Sequence, residues 1–153
     1  MSQQIQSTFT ISRVLPAPPS RVFRAFADFD EKKQWFVGPA DWIQTEATLD
    51  FRPGGSETNI GGPDESHQSE FYAHYYDIVP DERIVYTYEM HHAGKKLSVS
   101  LATFEFEPEE EGTRLTLTEQ GVYLDGHEDP ALREEGTRGL FEQLEAYVER
   151  VRA

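Results

Sequence analysis

The side chains that could do acid–base or metal chemistry are scattered along the chain. Of the five histidines, His67, His74 and His127 have no histidine two or four positions away, and the neighbours His91 and His92 point to opposite faces of a predicted strand. The chain also has no cysteine and no Gly-x-Ser-x-Gly or His-Glu-x-x-His motif. The sequence therefore predicts no metal site, no cofactor and no recognisable nucleophile.

Four side chains remain as candidates for general acid or base catalysis inside a cavity, namely His74, Tyr86, His92 and Glu119. Burial would shift their pKa values and so make them useful for proton transfer. Strict alternation places Glu119 on the inward face with Leu117, where a carboxylate needs a partner or water. We therefore expect Glu119 at a solvated strand end rather than in the interior.

The segment Asp50 to Ile60, DFRPGGSETNI, could be a phosphate-binding loop or a sharp turn. Phosphate loops place their glycines between a strand and a helix, often with a lysine. Here strand patterns flank the glycines on both sides, and the segment contains no lysine. We expect Gly54 and Gly55 to form a tight turn with positive φ where a sheet bends.

Composition narrows the classes of function. The 153 residues carry a formal net charge of −14, which repels nucleic acids and anionic lipid surfaces. No apolar run approaches the roughly 18 residues that would span a bilayer, and the first residues do not read as a secretory signal. The sequence predicts one domain over residues 1–153 in the cytoplasm, without a nucleic-acid or membrane partner.

Hydrophobic periodicity predicts an N-terminal strand, two short helices, a long β-region and a C-terminal helix. Ser7 to Leu15 reads as a strand, and two short helices follow, the first around Val22, Phe23 and Phe26 and the second ending near Trp35. A helix from Pro130 to Arg152 closes the chain. Between them the expected strands are Ile43 to Phe51, Glu57 to Ile60, Ser69 to Val79, Arg83 to His92, Leu97 to Glu107 and Thr113 to Gly121, joined by short turns that favour antiparallel pairing.

Six stretches of the sequence, in this order, resemble the START-like helix-grip (SRPBCC) superfamily. They are APPSRVFRAFAD, QWF, LDFRPGG, YDIVPDERIVYTYEM, EGTRLTLTEQG and GLFEQLEAYV. The branch they are most similar to is that of the activator of heat-shock protein 90 ATPase. One departure is Gly139-Leu140, where the family commonly has Gly-Trp, and the loss of that indole either enlarges the space under the helix or is compensated by Phe141.

The resemblance implies an α+β helix-grip fold in which a curved antiparallel sheet of about seven strands wraps around the C-terminal helix. Two short helices between the first and second strands would close one end. Such folds often keep an elongated apolar cavity between the sheet and the helix. Alternation in the strand from Arg83 agrees with this, because it gathers Tyr86, Tyr88, Met90 and His92 on one face.

Two features of the β-region are less regular. In the strand from Leu97 the apolar residues change phase near Ala102, which predicts a bulge there. The strand Ser69 to Val79 has aromatic residues on both faces, so its inner face stays unassigned. The residues expected to line the cavity and bind a ligand are Trp35, Phe36, Trp42, Tyr75, Tyr86, Tyr88, Met90, His92, Phe104, Leu117, Leu140, Phe141 and Leu144.

The favoured function is a non-enzymatic container for a small hydrophobic or aromatic molecule, acting as a monomer or homodimer. One alternative is a polyketide cyclase-like or hydrolase-like enzyme that uses the same cavity, as related helix-grip proteins sometimes do. The other is a chaperone-interacting module that regulates an ATPase, and the acidic surface would suit a basic protein partner. The last is least favoured, because we expect no extra domain before Ser7.

Overall fold

The computed structural model describes residues 2–152 as a seven-stranded antiparallel sheet with three helices, which confirms the predicted helix-grip fold. The strand order is β1-β7-β6-β5-β4-β3-β2, so the first strand closes the meander by pairing with the last. The strands are β1 (Gln4–Leu15), β2 (Ile43–Leu49), β3 (Ser56–Gly62), β4 (Ser69–Val79), β5 (Arg83–His92), β6 (Lys95–Glu109) and β7 (Gly112–Leu124), and the helices are α1 (Pro19–Ala27), α2 (Phe29–Trp35) and α3 (Pro130–Val151).

Local sequence explains where the helices begin. Pro19 opens α1, and the side chain of Asp28 accepts a hydrogen bond of 3.2 Å from the backbone N–H of Glu31 to start α2. At α3, Asp129 accepts one of 2.9 Å from the N–H of Ala131, and Pro130 takes the first helical position. None of the helices within residues 2–152 is long and apolar enough to cross a membrane.

The closed end of the fold is a packed aromatic core where the three helices meet the sheet. Phe26 contacts Trp35, Phe104 and Phe106 edge-on, with ring centroids 4.9 to 5.4 Å apart. Tyr147 of α3 donates a hydrogen bond of 2.9 Å to Glu31 of α2. These contacts hold α1 against α2 and β6, and the C-terminal half of α3 against α2.

The predicted bulge at Ala102 is wrong. Pairing between β6 and β7 runs without a break from Ser98 to Glu109, and the even-numbered residues from Ser98 to Phe106 are buried. Val99 and Leu101 instead lie on the outer face, 42% and 40% exposed. The irregularity between β5 and β6 falls instead at Leu97, before the predicted place. The apolar side chains of Val99 and Leu101 on the outer face therefore explain the apparent change of phase in the sequence.

A second bulge explains the role of the paired glycines. Tyr76 of β4 is left out of the register with β5, and at this point β4 bonds to the Gly54-Gly55 turn. The N–H of Gly54 donates to the carbonyl of Tyr75 at 2.8 Å, and the N–H of Tyr75 donates to the carbonyl of Gly55 at 2.9 Å.

Each glycine is needed for a different reason. Gly54 has the predicted positive φ, +86°, but the positive φ predicted for Gly55 is wrong. Gly55 is needed instead because a Cβ there would lie 2.0 Å from the carbonyl oxygen of Asp50. The segment is thus a tight turn at a bend of the sheet, and no side chain fits at Gly55.

Candidate ligand cavity

A cavity of about 440 Å³ lies between the concave face of the sheet and the N-terminal half of α3. Strands β4 to β7 form its floor, α3 forms its roof, and Trp35 and Phe36 close one side. The structure also settles the inner face of β4, because Phe71, Ala73 and Tyr75 are buried there whereas His74 and Tyr76 are exposed. The bulge at Tyr76 keeps Tyr75 directed at the interior.

All but one of the residues predicted to line a cavity do line this one. They are Trp35, Phe36, Tyr75, Tyr86, Tyr88, Met90, His92, Phe104, Leu117, Leu140, Phe141 and Leu144. Trp42 lies instead in a neighbouring hollow of about 400 Å³, which we call the side pocket. The two spaces share Phe36, Ser69, Phe71, Met90 and Leu140 as their common wall. Their role in ligand binding stays a prediction.

Several polar residues at the cavity were not anticipated. Arg133, in the second turn of α3, is 8% exposed and lies at the centre of a hydrogen-bonded group. Its guanidinium donates two hydrogen bonds of 2.8 Å to the carboxylate of Glu128 and one of 2.9 Å to Ser98. It also donates to the hydroxyl of Tyr88 at 3.0 Å. We call these residues, together with Glu119, the Arg133 cluster.

Glu119 completes the Arg133 cluster, and its predicted position at a solvated strand end is wrong. The side chain is 3% exposed and follows the inward alternation of Leu117. Tyr88 donates a hydrogen bond of 2.6 Å to one carboxylate oxygen of Glu119. Burial raises the pKa of Glu119, and this outweighs the opposing effects of the Tyr88 hydrogen bond and the positive charge of Arg133.

A second buried group, the Lys32 cluster, lies on the α2 side of the cavity. The ammonium of Lys32 is 2.6 Å from a carboxylate oxygen of Glu57, and the hydroxyl of Tyr75 donates to the same oxygen at 2.5 Å. Lys32 also lies over the ring of Phe36, 4.7 Å from its centroid. Burial and the negative charge of Glu57 raise the pKa of Tyr75 well above its ordinary value, so its hydroxyl stays protonated.

The four acid–base candidates are not brought together as a catalytic group. His74 is exposed on the outer face of the sheet, away from the cavity. His92 lines the cavity at the end of β5, where its Nδ1 is 3.0 Å from the hydroxyl of Ser69. Tyr86 and Glu119 also line the cavity, but within residues 2–152 no hydrogen bond joins any two of the four.

The roof of the cavity has a gap in its side chains. Gly136 lines the cavity, and a Cβ added there would meet no atom within 4 Å. Gly139 is equally unobstructed but does not line the cavity. The space under α3 thus depends partly on a missing side chain.

A curved antiparallel sheet wrapped around a C-terminal helix, with an aromatic-lined cavity between them, defines a helix-grip protein. The comparison with protein families narrows this class. Residues 16–149 match the family described as activator of Hsp90 ATPase homolog 1-like protein, and the chain belongs to that family. No curated protein matches the chain significantly.

Solved structures of similar proteins agree with this assignment. An uncharacterised protein from Rhizobium leguminosarum is 41% identical, with a TM-score of 0.93 over 98% of this chain and 99% of that one. A protein from Rhizobium loti is 44% identical, with a TM-score of 0.87 over 95% and 99%. One from Chromobacterium violaceum is 30% identical, with a TM-score of 0.78 over 93% and 96%.

Proposed function

We propose that this protein binds a small, mainly apolar molecule in the cavity under α3 and does not transform it. The supporting observation is the cavity itself, whose volume of about 440 Å³ suits a molecule of two or three rings. Burying 300 Å² of apolar ligand surface would contribute about 7 kcal/mol before the costs of ordering, by the usual coefficient of about 25 cal/mol per Å². Micromolar affinity is attainable on that basis.

The lining supports an aromatic ligand in particular. Tyr86 and Phe104 are close to parallel, with centroids 6.2 Å apart, and Phe71 and Tyr88 are 4.9 Å apart. This lining presents both the faces and the edges of aromatic rings to an aromatic ligand. Met90 adds a flexible side chain that adapts to irregular shapes.

The arrangement of polar groups favours a container over an enzyme. Proton transfer needs at least two polar groups that converge on one position in the cavity. His92 is bonded to Ser69, whereas Glu119 is bonded to Tyr88. The charged residues of the two clusters bond mainly to one another, which serves folding and leaves an apolar surface for the ligand.

The two unobstructed glycines of α3 provide a matched test. The neutral fluorescent probe N-phenyl-1-naphthylamine is titrated into wild type, Gly136→Phe and Gly139→Phe. We expect micromolar binding by wild type, a loss of tenfold or more in Gly136→Phe, and a change below about twofold in Gly139→Phe, because only the first side chain would fill the cavity. Thermal unfolding confirms that both variants fold. Absence of binding by wild type, or equal losses in the two variants, would contradict the proposal.

A further inference from the structure

Resting on this proposed function, we infer that the cavity selects a neutral molecule with a hydroxyl group, which donates a hydrogen bond to the free carboxylate oxygen of Glu119. The inference concerns the identity of the ligand, since the apolar lining alone would accept any hydrocarbon of the right size.

The cations at the cavity are already paired. Lys32 lies against Glu57 at 2.6 Å and also approaches the hydroxyl of Tyr75 at 3.4 Å. Arg133 directs its donors to Glu128, Ser98 and Tyr88, as described above. Each positive charge is therefore already balanced by a carboxylate, so an anionic ligand would meet no uncompensated cation here.

Glu119 is the carboxylate left without a cation of its own. Glu57 is paired with Lys32 and Glu128 with Arg133, whereas within residues 2–152 Glu119 receives a single hydrogen bond, from Tyr88 to Oε2. The hydroxyl of Tyr88 is itself committed, because it also accepts from Arg133. The other oxygen of Glu119, Oε1, is thus an acceptor without a donor.

A second polar atom at the cavity is in the same position. Tyr86 lines the cavity, and among the described residues its hydroxyl has no hydrogen-bond partner. Among residues 2–152, the hydroxyl of Ser100 is the one fully buried side-chain polar atom without a hydrogen-bond partner. Oε1 of Glu119 and the hydroxyl of Tyr86 also lack partners, so both of these atoms keep some accessible surface. Because both residues line the cavity, a ligand can satisfy both atoms.

The charges around Glu119 favour a neutral donor over an ion. An anionic ligand would face Glu119 with no unpaired cation to balance it. An ammonium ligand would lose its hydration on entering the cavity. It would also lie near the positive charge of Arg133, which contacts Tyr88. A hydroxyl costs less to desolvate and gains a charge-assisted hydrogen bond, which is about twice as strong as a neutral one.

A series of naphthalenes that share one ring system tests the inference. The ligands are 2-naphthol, the near-isosteric 2-methylnaphthalene, the cation 2-naphthylmethylamine and the anion 2-naphthoate, titrated at pH 7. We expect wild type to bind 2-naphthol about tenfold more tightly than 2-methylnaphthalene, and more tightly than either ion. An apolar cavity without an acceptor would prefer the methyl compound, because a hydroxyl buried without a partner is penalised.

Variants then assign the preference to atoms. We expect the ratio of the 2-naphthol and 2-methylnaphthalene affinities to fall below about twofold in Glu119→Leu and to fall partway in Tyr86→Phe. Glu119→Gln keeps an acceptor without the charge and should give an intermediate ratio, which tests the inference if Glu119→Leu fails to fold. Glu105→Gln, an exposed carboxylate on β6, is the control and should leave the ratio unchanged.

The outcomes separate this inference from the proposed function. If 2-methylnaphthalene binds wild type at least as tightly as 2-naphthol, the inference is overturned while the cavity remains a binding site. Tightest binding of the amine or of the carboxylate would overturn the neutral character of the ligand. If none of the four compounds binds, and N-phenyl-1-naphthylamine does not bind either, the proposed function itself fails.

Discussion

The two halves of α3 differ in what they cover. From Phe141 onward the helix buries Phe141, Leu144, Tyr147 and Val148 in the packed core, whereas in its first ten residues Arg133 is the only buried side chain. One continuous helix therefore acts as core at one end and as a roof over empty space at the other. Its cavity half can carry glycine and paired charges because the core half supplies the anchoring.

The two polar clusters show the same division. The Lys32 cluster lies beside the packed end, where one oxygen of Glu57 takes both the ammonium and the Tyr75 hydroxyl, and Glu57 itself does not line the cavity. The Arg133 cluster lies under the roof and leaves Glu119 with a free oxygen. The first stabilises the fold, and the second leaves an unfilled acceptor at the cavity.

The largest effect we expect comes from opening the Lys32 cluster. Lys32→Met leaves Glu57 charged and buried without its cation, which should lower the free energy of unfolding by about 3–5 kcal/mol in urea denaturation. Lys33→Met, whose side chain is 42% exposed, is the matched control and should change stability by less than about 0.5 kcal/mol. Similar small effects for both lysines would show that the Lys32 cluster is not structural.

Leucine truncation compares the two halves of α3 directly. Leu144→Ala should cost about 3 kcal/mol, because Leu144 is 1% exposed and packs in the core cluster even though it also borders the cavity. Leu140→Ala should cost about 1 kcal/mol or less, since this side chain already borders both hollow spaces and loses fewer packing contacts. Chemical denaturation of both variants gives the comparison. Equal losses would mean that the two halves are packed alike.

The smallest effect concerns the pH dependence of stability. Because the folded-state pKa of Glu119 is raised above its ordinary value of 4.5, the stability linked to its protonation is fully present below pH 4.5 and is lost as the pH rises through the folded value. Glu119→Gln removes this loss. We expect the variant to be more stable than wild type at pH 7 in urea denaturation, with the difference vanishing near pH 4.

Glu105→Gln provides the baseline for that experiment, because its side chain is exposed and should show no such trend. A Glu119→Gln variant that is less stable than wild type at pH 7 would contradict the expected sign. It would mean that the ionised carboxylate contributes more to the Arg133 cluster than its burial costs.

The regular parts of the fold were predictable from the sequence for physical reasons. The bounds of β4 and β5 agree with the sequence prediction because alternation and turn residues are clear there, and alternation alone placed Tyr86, Tyr88 and Met90 at the cavity. The bulge was misplaced because Val99 and Leu101 are apolar on the outer face. Periodicity reports which residues are apolar, not which side of the sheet is buried.

The polar clusters could not be predicted in the same way. Lys32 and Glu57 are 25 residues apart, and Tyr88 and Arg133 are 45 apart, so no local spacing links them. One signal was present for Arg133, which lies seven residues before Leu140 and thus on the apolar stripe of α3. A charged residue in that stripe indicates a buried partner, but it does not identify which strand supplies it.

The glycines of α3 also bear on how a guest molecule would reach the interior. Each glycine inside a helix lowers its stability by about 0.5–1 kcal/mol relative to alanine, and Gly136 and Gly139 lie three residues apart in the turn above the cavity. Unwinding is therefore least costly at this turn. A transient opening there would give a ligand access to the cavity, while the C-terminal half of α3 stays packed and keeps the rest of the protein folded.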